Sequence, residues 1–151
     1  MHNPFRFEDY SRAPNGLFSL DVFRHGKLIE HFEDKNLIVN GSKAVNARLI
    51  GGDVTNRSIT QIGFGTSGTA PAGGNTVLTS AYTKAVDAVT YPVEGTVQFA
   101  FSLGTGEANG KAILEFGLFT AAGTLYARKV RSAALNKESD ISLLGTWQIT
   151  F

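Results

Sequence analysis

The stretch Val97-Gln98-Phe99-Ala100-Phe101-Ser102-Leu103 places a large apolar side chain at every odd position and Gln, Ala or Ser at every even one. A strict period of two is the pattern of a β-strand with one face in the core and the other modestly polar. Working outward, Gly104-Thr105-Gly106 and Asn109-Gly110 form the next connection. Ala112 to Phe119 is then apolar on both faces except at Glu115, as expected of a central strand. Ala121-Ala122-Gly123 turns the chain into Leu125-Tyr126-Ala127-Arg128-Lys129-Val130-Arg131. Counting back from that turn sets Glu115 near Lys129 across the ladder, give or take one residue, an opposite-charge pair worth roughly 0.2–1 kcal/mol. Arg128, Lys129 and Arg131 form a small basic cluster on one strand. Alternation splits them, with Arg128 on one side and Lys129 and Arg131 on the other. A solvated edge and contact with an acidic patch of another subunit are both open for the three.

Upstream, Leu17 to Phe23 and Lys27 to Phe32 flank His25-Gly26, a hairpin in which Gly26 supplies the positive φ of a tight turn. Asn36 to Asn40 is a short apolar run. The period then changes, and residues 41–50 suit one short helix, capped by Asn40 or Ser42 and stopped by Gly51-Gly52. Ser58 to Phe64 returns to strand. Gly65 to Asn75 lacks bulky groups and reads as a long surface loop. Val77 to Ala81 suggests a turn of helix, and Lys84 to Tyr91 a strand. Ile141 to Leu144 and Thr146 to Phe151 close the chain, with Trp147, Ile149 and Phe151 on one core-facing side. Seven to nine strands and one helix predict an all-β domain, a β-sandwich or jelly-roll-like fold over residues 17–151.

Residues 1–16 stand apart as an N-terminal arm. Pro4 and Pro14 bracket Phe5, Phe7 and Tyr10, with no strand or helix period between them. Three aromatics are costly to leave in water. The arm is expected to dock, on its own domain or on a neighbouring subunit, which makes Phe5, Phe7 and Tyr10 candidate partner contacts.

Composition narrows the function. The 151 residues hold 14 Lys and Arg against 13 Asp and Glu, with 17 Gly, 11 Phe, no Cys and 18% charged residues. The absence of cysteine removes disulfides and thiolate chemistry. A net charge of +1 argues against a general nucleic-acid or acidic-membrane binder. No opening run has the apolar core of a signal peptide and no stretch is long enough to span a bilayer, so synthesis in the cytoplasm is expected.

Motifs for catalysis are weak. Gly63-Phe64-Gly65-Thr66-Ser67-Gly68 fits the dinucleotide pattern, but Thr69-Ala70-Pro71-Ala72-Gly73-Gly74 cannot open the helix whose dipole and free N–H groups hold a pyrophosphate. His25 and His31 flank one hairpin, short of the three or four convergent ligands a metal needs. Glu107 lies in a glycine-rich turn and Glu115 in mid-strand, not as a glycosidase pair. No catalytic, cofactor-binding or metal-binding residues are assigned, and no enzyme is expected.

Three segments together resemble small tail-associated structural proteins of tailed bacteriophages. They are Asn36-Leu37-Ile38-Val39-Asn40-Gly41, then Ile59-Thr60-Gln61-Ile62-Gly63-Phe64-Gly65-Thr66, then Ala112 to Phe119 running through Gly123-Thr124-Leu125-Tyr126-Ala127-Arg128. The resemblance covers residues 36–151. It implies a virion component of the neck, collar, tail or baseplate, or one that attaches tail fibres, assembled as a homo-oligomer with other phage proteins. It carries over no catalytic residue. A carbohydrate or host-receptor binding module is the alternative.

Overall fold

The computed structural model describes residues 13–151. Phe5, Phe7 and Tyr10 lie outside the described residues. The chain forms β1 (Asn15–Arg24), β2 (Lys27–Ile38), α1 (Gly41–Ile50), β3 (Ile59–Gly65), β4 (Tyr82–Ala85), β5 (Ala88–Thr90), β6 (Thr96–Leu103), β7 (Ala112–Thr120), β8 (Leu125–Asn136) and β9 (Ile141–Thr150). β1 takes in the last two residues of the expected arm, Asn15 and Gly16. No described helix is long and apolar enough to cross a membrane.

The strands make one nine-stranded antiparallel sheet in the order β4-β3-β7-β8-β2-β1-β9-β6-β5. It curls into a half-barrel, which corrects the expected two-sheet sandwich or jelly roll. Alternation shows that each strand has a core face, and a sheet curled on itself satisfies that as well as two stacked sheets do. Continuity rests on one short passage. β2 pairs with β1 from Gly16↔Asn36 down to Arg24↔Lys27, then bonds β8 only through Leu37↔Arg128 and Ile38↔Ala127. The far side mirrors this. Tyr82–Ala85 pairs with β3 and Ala88–Thr90 pairs with β6. Between them Val86 N–H donates to Thr60 O at 3.0 Å and Asp87 N–H to Ala100 O at 2.8 Å. The two ends of the strand order are thus halves of one segment. The single strand expected at Lys84–Tyr91 breaks where it changes partners.

The core lies inside the curl. Phe18, Phe64, Phe101, Phe116 and Trp147 are fully buried. Phe18 meets Phe116 at 4.7 Å and Trp147 edge-on at 5.1 Å between ring centroids, joining the two halves of the sheet. Such edge-on aromatic contacts add about 0.5–1.5 kcal/mol to area burial. The alternation of β6 holds: Phe99, Phe101 and Leu103 are buried, and Val97 packs against the core while partly buried.

Local signals explain the connections. His25 and Gly26 have φ of 49° and 75°, the pair of left-handed residues a two-residue hairpin requires. The helix spans the expected residues and ends at Gly51-Gly52, but Asn40 makes no side-chain cap; its N–H bonds Gly73 O at 2.8 Å instead. Val77 to Ala81 forms no helical turn. The closing segment is one strand, and Phe151 lies outside the core with 59% exposure.

Candidate functional site

Two features separate this sheet from a bare scaffold: a buried ion pair that holds a loop, and a broad uncharged face. The ion pair is Glu115 with Arg128, not Glu115 with Lys129. Register slips in the β7–β8 ladder between Leu118 and Phe119, so Glu115 lies opposite Val130 and Gly117 opposite Arg128. That one-residue shift turns Lys129 to the other face and makes Arg128 the diagonal same-face neighbour of Glu115. Arg128 Nε donates to Glu115 Oε2 at 2.8 Å, with the side chains 3% and 1% exposed.

This pair anchors the connection between β3 and β4. Glu115 Oε1 accepts the Thr79 N–H at 2.6 Å and the Ser67 N–H at 3.2 Å. Arg128 donates to Asn75 Oδ1 at 3.1 Å, and that oxygen also accepts the Ala72 N–H at 2.8 Å. Thr66 N–H closes the base of the loop on Thr79 O at 3.0 Å. A loop without bulky groups is held by backbone amides converging on a charged pair, which is how a buried carboxylate is made tolerable. One apolar residue completes the cover. Leu78 lies over Gly63 and Gly117, where a Cβ on either glycine would approach its Cδ1 to 3.0 Å. It packs with Val39, Phe119 and Leu125 in a second small core outside the sheet.

The same contacts dispose of the dinucleotide pattern. Gly63 to Gly65 ends β3, and the Ser67 amide that would face a phosphate is taken by Glu115.

Lys129 and Arg131 fill the seam where β2 and β8 part. Lys129 Nζ donates to Asp34 Oδ2 at 2.6 Å and to Lys35 O at 2.9 Å. Arg131 donates to Glu30 Oε1 at 2.8 Å. Both cations lie against the Phe32 ring, at 5.4 and 5.3 Å from its centroid. The Lys129 ammonium hydrogen bond holds the Asp34 carboxyl below its usual range. Arg128, Lys129 and Arg131 each engage a carboxylate of their own chain and are largely buried, which corrects the solvated edge. Glu30-x-Phe32-x-Asp34 opposite Lys129-x-Arg131 is a complementary alternation visible in sequence. Asn75, Ser67 and Thr79, which act largely through backbone or a lone amide, carry no such signal.

Glu107 ties the β6–β7 connection to β4. It accepts the Gly104 N–H, the Lys84 ammonium and the Tyr82 hydroxyl, each at 2.9 Å. The backbone N–H and the lysine together pull its carboxyl down to about 2. His31 Nδ1 lies 2.6 Å from Asp21 Oδ1, and that hydrogen bond raises the imidazole. Among the described residues no three His, Asp or Glu side chains gather as metal ligands.

The uncharged face is the convex side of β1, β9 and β6. Core positions on these strands fix the outward ones: Leu17 and Ser19 on β1, Leu144, Thr146 and Gln148 on β9, Gln98 and Ala100 on β6. They pair laterally, Ser19 with Thr146 and Thr146 with Ala100, while Gln148 bonds Gln98 at 2.7 Å. Among the described residues at these outward positions Asp21 is the one charge, and it holds His31. Leu144 is 54% exposed in the middle of the face. Trp147 points inward and is fully buried, so it offers no platform to a sugar.

Comparison with protein-family models, curated proteins and solved structures finds no match to this chain.

Proposed function

We propose that the protein is a structural component of a tailed-bacteriophage virion, built into the neck, collar, tail or baseplate or attaching fibres there, and that it acts by assembly with copies of itself and other tail proteins rather than by catalysis. The observation that carries this reading is the uncharged convex face of β1, β9 and β6. A protein surface that stays in water is ordinarily rich in charge, and interface cores are depleted of it. Here Arg128, Lys129 and Arg131 are engaged within the chain, and the outward positions of β1, β9 and β6 are left mainly to Ser, Thr, Gln, Ala and Leu. The resemblance of residues 36–151 to tail-associated phage proteins points to the same class. Trp147, the one tryptophan, lies in the core and gives the carbohydrate-binding alternative no platform.

The test introduces charge at the centre of the face. Light scattering after size exclusion should show oligomers for the parent chain and monomers for the double substitution Thr146→Lys with Ala100→Glu, at unchanged thermal stability. The same variant should fail to enter particles. A parent chain that remains monomeric at high concentration, or a variant incorporated normally, would refute assembly through this face. A specific hit on a glycan array would favour the binding module.

A further inference from the structure

At the end of the half-barrel where β1 begins and β9 finishes, a cavity of about 560 Å³ opens into the core. Its walls are Val45 and Leu49 of α1, Val97 and Phe99 of β6 and Ile149 of β9. Its rim carries large apolar groups in water: Val89 at 44% exposure, Phe151 at 59% and Tyr91 at 78%. A volume in this range is that of a site for an organic ligand or for a few aromatic side chains. Arg57 is the one charged residue of the lining. Its terminal nitrogen bonds Asp53 at 2.8 Å, while its Nε is buried with no partner among the described residues. A buried N–H left so is costly and calls for an acceptor.

We propose that the segment Phe5–Tyr10 of the same chain fills this cavity, its aromatic rings against the apolar walls and Glu8 or Asp9 toward Arg57. Three observations select this occupant. The first is place. Asn15 pairs with Thr150, next to Phe151 on the rim, so the arm starts at the mouth of the cavity. The second is reach. Tyr10 is five residues before Asn15, which allows a span of about 17 Å, whereas from β1 to β5 is three strand spacings, about 14 Å. A tether this short gives the arm a local concentration in the millimolar range, which a second copy does not match at ordinary dilution. The third is chemistry. Phe5-Arg6-Phe7-Glu8-Asp9-Tyr10 carries three rings and two carboxylates, matching apolar walls with a single cationic donor. Each ring buried would remove about 150–250 Å² from water.

The chain has no cysteine, so a clean cross-link tests the placement. In the double variant Phe7→Cys with Val89→Cys, mild oxidation should give an intramolecular disulfide in most molecules, seen as a fast-migrating monomer on a non-reducing gel and confirmed by peptide mass. Phe7→Cys with Thr146→Cys, on the convex face, should not cross-link. Cross-linked dimers in place of monomers would give the cavity to a second copy and overturn the proposal. Free thiols throughout, or equal cross-linking to position 146, would also overturn it. As a check independent of thiols, removing residues 1–12 should raise binding of a hydrophobic dye several-fold and speed amide exchange at Val97–Phe99. Unchanged values would overturn the docking. The assembly reading stands on the other face, so loss of oligomers in Thr146→Lys with Ala100→Glu and loss of the intramolecular cross-link are separate outcomes.

Discussion

β7 and β9 are both flanked by strands on either side, yet they live in different surroundings. Along β7 nearly every residue from Glu115 to Thr120 is buried, on both faces. Along β9 buried Leu143, Trp147 and Ile149 alternate with accessible Leu144, Thr146 and Gln148. The inner faces are alike, since both strands contribute to the aromatic core. The difference lies outside. β7 is roofed by the 66–81 loop, and β9 is roofed by nothing among the described residues. Covering a sheet does not require a bulky loop. It requires polar anchors placed in the sheet, Glu115 and Arg128, and small residues, Gly63 and Gly117, that leave room for one leucine.

The comparison breaks most sharply at the anchors. Arg128→Ala leaves the Glu115 carboxylate buried and unpaired, and should lower unfolding free energy by about 3–5 kcal/mol in urea titration. Replacing both members by apolar residues, Glu115→Leu with Arg128→Met, should cost less than the single change, because no lone charge remains. Next come the two glycines that admit side chains. Gly117→Val intrudes on Leu78 and Leu125, and Gly145→Val on the Phe101 ring. Each should cost about 1–3 kcal/mol by overpacking. Only Gly117→Val should also open residues 66–79 to limited proteolysis, because Gly145 faces the core. Leu78→Ala removes the one apolar clamp of the roof and should cost about 1 kcal/mol, judged by thermal melting.

The link between the halves, Glu107, sharpens the contrast through pH. Its carboxyl is held at about 2, below the usual glutamate range. The unfolded chain therefore takes up the proton first as acid is added. The contribution of Glu107 is complete above the ordinary glutamate range and is lost as pH falls toward about 2. Glu107→Gln should flatten that part of the acid-unfolding curve. The smallest effect on stability belongs to β9. Thr146→Lys on its open face should change unfolding free energy by no more than about 0.5 kcal/mol, whatever it does to association.

Much of the frame was legible for physical reasons. Strict alternation marked β6, and the change of period before Gly51-Gly52 marked α1. The single curled sheet was not legible, because its continuity depends on two residues, Leu37 and Ile38, that change partner without changing character. The ion pair was missed by one position. A bulge at Leu118 and Phe119 inserts a residue that no side chain announces, and a one-residue slip exchanges the two faces of a strand. The loop was recognisable as a loop and not as a roof, since the groups that fasten it are mostly main-chain amides.

The way β4 hands over to β5 bears on how the sheet guards its edges. A sheet edge is a template for aggregation wherever a long row of free N–H and C=O groups faces water. At the ends of the strand order stand only Tyr82–Ala85 and Ala88–Thr90, too short to recruit a foreign strand firmly. At the opposite seam the exposed row is interrupted by Lys129 bonded into the Lys35 carbonyl. Strand addition is blunted at both places, and amyloid-like stacking of many crowded copies with it. Crowding of the chain is thereby kept from turning into strand-to-strand growth.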